Sequence, residues 1–146
     1  MKLLPVTVDF PEPLSFRGTV GEIASTLHNQ LCLDGLSLMP EDIEQAILST
    51  VRLYAAWQTL AAAETATSEV PIDSRLLLRA DEWMIVEPVV QAECQLRQAT
   101  RMEAARSLGA EMFGLSVGEA TTMLQQAKAE MGKNAFCTQP FSIELE

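Results

Sequence analysis

The sequence is poor in the residues on which most catalytic and metal sites depend. Only one histidine, His28, occurs among the 146 residues, and the three cysteines, Cys32, Cys94 and Cys137, lie far apart without a CxxC pair. This spacing disfavours a disulfide framework, a thiolate metal site and a Cys–His or Ser–His–Asp catalytic group. The glycines form no phosphate-binding GxGxxG or GxxxxGK loop. We therefore expect no catalytic, cofactor-binding or metal site and predict that the chain is not an enzyme.

Basic residues are also scarce, because 10 lysines and arginines stand against 20 aspartates and glutamates and give a formal net charge of −10. An acidic surface repels the phosphate backbone, which argues against a general nucleic-acid-binding surface. No stretch approaches the roughly 18 consecutive apolar residues of a membrane span. The start, MKLLPVTVDFPEP, lacks the apolar run of a secretory signal. We expect a protein that is made in a cytoplasm and binds no membrane.

The overall composition is that of an ordinary globular protein, with 48% hydrophobic and 21% charged residues. A chain of this length can bury about 70% of the surface that its unfolded form exposes, which is enough for one core. We predict one domain, 1–146, with an extended N-terminal arm (1–14), a helical body (15–132) and an extended C-terminal tail (133–146). The expected fold class is mainly α, with three to four helices bundled around a long central helix.

The central helix is predicted over residues 81–114. Small and apolar residues recur in it at three- and four-residue steps and form one buried stripe: Val89, Ala92, Leu96, Ala99, Met102, Ala105 and Met112. Pro88 lacks an N–H and clashes with the carbonyl four residues earlier, so we expect residues 81–87 to form a short segment kinked away from the rest. Gly109 and Gly114 mark candidate ends.

Other helices are predicted on both sides of it. Capping-box sequences open helices over residues 19–31 and 116–132, and a proline followed by acidic residues opens a third over 40–64. The polar segment 65–73 is expected to be a loop. Residues 75–79, RLLLR, fit either a strand or the entry to the central helix, and periodicity does not separate the two.

Both ends of the chain show the alternation of apolar and polar residues that is typical of a half-buried strand. The apolar positions are Leu4, Val6, Val8 and Phe10 at one end and Phe141, Ile143 and Leu145 at the other. Pro5 confines the first segment to a sheet edge or an arm. Neither segment has a hairpin partner beside it in sequence. The two segments either pair with each other or add to a sheet edge of another chain.

One side of the central helix carries Arg97, Arg101 and Arg106. Glu93 and Arg97 form a favourable i,i+4 pair, whereas Arg97 and Arg101 repel each other unless a carboxylate from elsewhere meets them. Two interpretations stay open. The arginines either form the charged part of an interface with an acidic partner, or belong to a solvated helix face with intrahelical pairs.

Several short motifs in residues 75–146 resemble a known family. They are Glu82-Trp83, Glu87-Pro88, the run from Glu103 to Gly109, Phe113-Gly114, Ser116, Glu119 and Ala135-Phe136. These motifs resemble the C-terminal half of the head-to-tail connector or adaptor proteins in the neck of tailed bacteriophages. The resemblance implies a helical subunit of a ring, typically of twelve copies, below the portal, with an extended terminus that reaches into the portal or a neighbour.

The resemblance also implies a location and partners. The protein would lie in the virion, at the junction of neck and tail, and would contact its own copies, the portal protein and the next neck or tail protein. DNA would pass through an acidic lumen without specific binding. Combined with the patterns above, the expected partner-binding residues are Leu4, Val6, Val8, Arg97, Arg101, Arg106, Phe136, Phe141, Ile143 and Leu145.

Two other classes fit the composition. Small acidic proteins of mixed helices and strands also act as dimeric chaperones of a secreted or assembling protein. A chaperone would form a stable dimer with a hydrophobic groove, whereas a connector would be retained in a particle. A small regulatory protein or antitoxin is disfavoured by the lack of a basic DNA-reading element.

Overall fold

The structure is a computed structural model that describes residues 16–64, 66–106 and 115–137. The described chain is mainly helical, with one short pair of strands, and this confirms the expected class of a helical bundle around a long central helix. Its elements in order are β1 (Phe16–Thr19), α1 (Val20–Leu33), α2 (Pro40–Ala55), α3 (Ala61–Glu64), β2 (Leu77–Arg79), α4 (Ala80–Arg106) and α5 (Val117–Cys137).

The central helix α4 packs along α5 and against α2, and α1 packs against α2. One apolar cluster joins these four helices. Its completely buried members include Val20, Ile43, Ile47, Val51, Val86, Val89, Val90 and Cys94. Ala92 and Ala99 of the predicted α4 stripe are buried as well, so the small side chains bring the helices close together as expected.

Three predicted helix starts are confirmed. In α1 the Thr19 hydroxyl accepts a hydrogen bond from the Glu22 N–H at 3.2 Å, and the Glu22 carboxylate accepts one from the Thr19 N–H at 3.1 Å. Ser116 and Glu119 form the same reciprocal capping box at the start of α5. Pro40 is the first residue of α2, where its missing N–H costs nothing.

The predicted extent of two helices is wrong. The helix that begins at Pro40 was expected to reach residue 64 but ends at Ala55, and a turn separates it from α3. The turn lets Leu60 become buried and lets the Trp57 ring pack against α5, and this burial outweighs the helix propensity of the alanines. Conversely, α5 does not end at Gly132 but continues to Cys137. Residues 133–137 therefore belong to the helical body rather than to the extended tail.

Residues 81–87 were expected to form a short segment kinked away from the rest, and the structure places them in one helix, α4, which runs from Ala80 through Pro88 to Arg106. Pro88 and Met84, whose carbonyl loses its hydrogen bond, both lie on an exposed face of the helix. Water can therefore replace the missing bond. Val86, Val89 and Val90 on the opposite face are completely buried, and their packing keeps the helix continuous.

A two-stranded antiparallel sheet joins the start of α1 to the start of α4. Thr19 faces Leu77, Gly18 faces Leu78, and the register is irregular between Phe16 and Gly18. The open question over residues 75–79 is resolved as a strand that leads directly into α4. The strand β1 was not predicted, because four residues with a glycine in the middle show no alternation.

Gly132 offers a way to stabilise the fold. It lies inside α5, and a methyl group added there would meet the Trp57 ring at 3.5 Å, an ordinary van der Waals distance. Gly132→Ala is expected to raise the free energy of unfolding by about 0.5–1 kcal/mol, because alanine loses less backbone freedom in a helix than glycine. Urea unfolding followed by circular dichroism measures this. Gly132→Val should not stabilise, and an equal gain would show that Trp57 does not pack there.

Candidate interaction surfaces

The arginines of α4 find carboxylates within their own chain. Arg97 pairs with Glu93 on the same helix at 3.1 Å, and Arg101 pairs with Asp42 of α2 at 2.7 Å. The repulsion between Arg97 and Arg101 predicted that a carboxylate from elsewhere in the chain would meet them, and this carboxylate is Asp42. Arg106 ends the described part of α4 and is exposed. Arg97 and Arg101 thus have partners within the chain, and the predicted role of the three arginines in an interface between chains stays a prediction.

Asp42 serves two elements at once. Its carboxylate accepts a hydrogen bond from the Met39 N–H at 3.0 Å, which closes the start of α2, and it binds the Arg101 guanidinium. Partial burial raises the pKa of Asp42, but the hydrogen bonds from Met39 and Arg101 outweigh burial and hold the pKa below the ordinary value. The ionised form is therefore the one that the fold prefers.

Removing this charge tests the pairing. Asp42→Asn is expected to cost about 0.5–1 kcal/mol at neutral pH, and less at high salt. Because the folded pKa is lowered, the cost should shrink as the pH falls through the ordinary aspartate value and vanish below the folded pKa. Glu41→Gln, in the same helical turn and exposed, is the control for the helix dipole. An equal cost for both variants would show that the Arg101 pair contributes nothing.

Glu82 is a buried carboxylate that joins two helix starts. Its side chain accepts a hydrogen bond from the Arg79 N–H at 3.0 Å, just before α4, and another from the Ala61 N–H at 3.1 Å, at the start of α3. The residue is only 2% exposed. Burial raises the pKa of Glu82, and the two backbone hydrogen bonds oppose that shift only in part. Both carboxylate oxygens are used, so Glu82 holds the structure together rather than presenting a reactive group.

The outer side of β2 is a free sheet edge within the described part of the chain. The Val20 N–H donates to the Leu76 carbonyl at 2.9 Å on the β1 side. In an antiparallel ladder this bond, beside the Thr19–Leu77 pair, leaves the amide and carbonyl of Leu77 pointing away from β1. The side chain of Leu77 is 41% exposed. A strand that adds to this edge would form its main-chain hydrogen bonds with Leu77.

An apolar cleft of about 380 Å³ lies beside this edge. Its apolar lining comes from α3, the loop before β2 and β2 itself, namely Ala62, Val70, Pro71, Leu76 and Leu77. Arg75 and Asp73 also line the cleft and form an exposed ion pair at 3.2 Å. The edge and the cleft together, which we name the β2 edge site, match what strand addition requires: main-chain groups beside pockets for apolar side chains.

A second groove, of about 400 Å³, runs between α1, α4 and α5. Its apolar lining is Leu27, Leu31, Pro88, Ala92, Met123 and Ala127, and Gln30, Gln91 and Gln95 flank it. A further depression lined by Leu36, Ala99 and Leu115 shares Asp34, Gln95 and Met123 with it, so the two form one continuous surface. Met123 is 44% exposed. We name this surface the α1–α5 groove.

The described imidazole and thiol groups, those of His28, Cys32 and Cys94, are not gathered at one place in the fold. The His28 Nε2 and Cys32 Sγ atoms lie 3.4 Å apart on exposed turns of α1. Cys94 is buried, and burial raises the pKa of its thiol to about 12, so it stays protonated. Within residues 16–64, 66–106 and 115–137, no three side chains of His, Cys, Asp or Glu are grouped so as to hold a metal ion.

Several predicted partner-binding residues lie outside the described residues: Leu4, Val6, Val8, Phe141, Ile143 and Leu145. The predicted helix ends at Gly109 and Gly114 lie outside them too. Phe136 is in the last turn of α5. The structure adds two surfaces that the sequence did not predict. The β2 edge site depends on how α3 and the loop before β2 fold against β2, and the α1–α5 groove is assembled from helices far apart in sequence. The apolar run of residues 76–78 was the one sequence signal for the first.

Comparisons of the chain with protein-family models, with curated proteins and with solved structures found no match. No helix in the described part of the chain is long and apolar enough to cross a membrane. The resemblance to phage neck proteins therefore stays a prediction.

Proposed function

We propose that this chain is a structural subunit of a tailed-bacteriophage neck, forming a ring between the portal protein and the next neck or tail protein. The observation that carries the assembly part of the proposal is the β2 edge site, where no third strand is bonded to β2 within the described part of the chain and an apolar cleft lies beside it. In the proposed contact this edge is the acceptor, and a terminal segment with the sequence alternation of a strand is the donor. A contact between different patches of identical chains is heterologous, and such contacts close into rings when the rotation allows.

A contact of this kind suits a ring whose copies are held together by many weak intersubunit contacts. Each added strand would gain two main-chain hydrogen bonds at Leu77 and the burial of apolar side chains in the cleft. One such contact is small compared with a standard interface, but every copy in a ring makes two. Stable assembly would then depend on a template such as the portal.

Deleting the donor tests this arrangement. A chain that stops after Cys137 keeps every described element and is expected to retain its helical content. Its incorporation into phage particles should fall at least about tenfold, because each lost contact is repeated around the ring. Glu144→Gln, which keeps the apolar alternation, is the control. Undiminished incorporation of the shortened chain would contradict strand exchange by the tail.

The excess of acidic residues has a role in this proposal. A net charge of −10 per copy would surround passing DNA with like charge and keep it from binding. Three exposed acidic residues lie on separate helices and can be replaced by glutamine one at a time: Glu41, Glu103 and Glu130. Replacement of a residue whose helix lines the lumen should slow DNA ejection. Unchanged ejection for every replacement would count against an acidic lumen.

The α1–α5 groove supports a second candidate function, that of a chaperone. The α1–α5 groove has an apolar floor between flanking glutamines, which suits an apolar segment of an unfolded client and would make the chain a dimeric chaperone. Met123→Lys should abolish client binding, whereas Met84→Lys, at a residue 73% exposed on α4, should not. A stable dimer that is absent from particles would favour this function over the neck subunit.

A further inference from the structure

The end of α5 and the β2 edge site lie at the same end of the molecule. The Gln58 side chain donates a hydrogen bond to the Ala135 carbonyl at 2.5 Å and so ties the last turns of α5 to the turn after α2. That turn leads directly into α3, which begins at Ala61, and Ala62 lines the cleft. The C-terminal end of α5 therefore lies close in space to the β2 edge site.

Within the described part of this edge, one residue has main-chain groups available for hydrogen bonds with a new strand. The N–H groups of Arg75 and Arg79, on either side of it, are already bonded to the carboxylates of Asp73 and Glu82. Leu77, between them, directs its amide and carbonyl outward. One residue of an incoming strand can exchange two hydrogen bonds with Leu77, and the apolar cleft receives a neighbouring side chain.

Of the two terminal segments, the C-terminal one is the better donor. Residues 141–146 contain no proline, so each can donate to a ladder, and their apolar residues alternate. The N-terminal segment has prolines at positions 5, 11 and 13. The nine residues after Cys137 span up to about 30 Å when extended, which is ample for a site so close to the end of α5.

We propose that residues 141–145 add to the β2 edge site of their own protomer and cover it before assembly. The docking stands on the geometry above, whereas its role as a guard against premature association rests on the proposed function. A tethered tail has an effective concentration in the millimolar range, so it outcompetes other copies in dilute solution. In a ring the same tail would move to the equivalent site of the next copy, as in domain swapping.

Photo-crosslinking of the full chain tests the location. A benzoylphenylalanine in place of Ile143 is expected to crosslink to peptides that contain Ala62, Val70 or Leu77. When equal amounts of ¹⁴N- and ¹⁵N-labelled chains are mixed at low concentration, the crosslinked pairs should carry one label only. Crosslinks that mix labels, or that map to the α1–α5 groove, would overturn the proposal. The same photo-crosslinker at the exposed Lys128 of α5 is the control for random contact.

Amide hydrogen exchange gives an independent measurement that needs no probe. Removing residues 138–146 is expected to speed exchange at the Leu77 amide at least about tenfold. The Leu76 amide, which is bonded to the Asp73 carbonyl at 3.1 Å, should be unchanged. Equal exchange at Leu77 in both chains would overturn the proposal.

The two proposals can fail separately. If the single-label crosslink to the β2 edge site forms but the chain is absent from particles, the docking stands and the neck function fails. If the chain is present in particles and position 143 crosslinks only elsewhere, the neck function stands and the docking fails.

Discussion

Replacing Glu82 by alanine is expected to lower the free energy of unfolding by about 3 kcal/mol or more, the largest effect of any substitution considered. The change leaves the N–H groups of Ala61 and Arg79 without the acceptors that they now have at 3.1 and 3.0 Å. The Ala61–Glu82 bond is buried, so water cannot readily replace it, and an unpaired buried donor costs about 1–3 kcal/mol. The starts of α3 and α4 would loosen together.

Glu82→Gln separates the two bonds. Glutamine has one acceptor oxygen, so its amide nitrogen must face one of the two N–H donors, and the expected cost is about 1–3 kcal/mol. Glu69→Gln in the exposed loop before β2 is the matched control and should be neutral. Chemical unfolding followed by circular dichroism measures all three variants. A loss below 0.5 kcal/mol (about the spread of neutral surface substitutions) for Glu82→Ala would contradict the structural role.

Glu82 also has a characteristic pH dependence. Its pKa is raised by burial, so the folded state binds the proton more tightly than the unfolded state. Between the ordinary glutamate value and the raised pKa, stability from this group increases as the pH falls. The advantage of the native chain over Glu82→Gln should therefore grow on acidification and level off below the ordinary value. A constant difference over this range would contradict the raised pKa.

Replacing Pro88 by alanine is expected to stabilise the chain by about 2 kcal/mol. A proline inside a helix costs about 3 kcal/mol, because it removes a hydrogen bond and clashes with the carbonyl of the preceding turn. Part of the gain is lost, since alanine leaves the unfolded chain freer by about 0.4–1 kcal/mol. Pro88 is exposed, so little packing disappears with its ring.

Pro40→Ala is the control for Pro88→Ala. Pro40 is the first residue of α2, where its geometry already suits the helix, so its replacement should give no gain. Thermal and urea unfolding of both variants measure the contrast. If Pro88→Ala were neutral or destabilising, the ring would have a packing role in the α1–α5 groove, which it borders.

Local patterns in the sequence were sufficient for the helix starts. The capping boxes at Thr19 and Ser116 and the proline at position 40 act through bonds within a few residues, so they can be read without the fold. Helix ends depended on distant contacts. The end of α2 at Ala55 depends on Trp57 packing against α5, and the passage of α4 through Pro88 depends on which face of the helix is buried.

The candidate surfaces were harder to predict for the same reason. The acidic partner of Arg101 was expected from the repulsion between two arginines, but its identity as Asp42 required the packing of α4 on α2. The β2 edge site depends on β1, which has no recognisable strand pattern, and on a cleft built from residues 62–77. The alternation of apolar and polar residues indicated which terminal segments could be added as strands. The edge proposed to receive them, the β2 edge site, could be recognised only in the fold.

The most direct test of the neck proposal is the copy number of this chain in purified particles. Nuclease-treated lysates of the cells that produce it would be sedimented, and the chain would be quantified by mass spectrometry against the major particle protein. The proposal predicts a small fixed number of copies per nuclease-resistant particle, as a ring requires. Recovery of the chain at the top of the gradient as a small dimer bound to one client would contradict it.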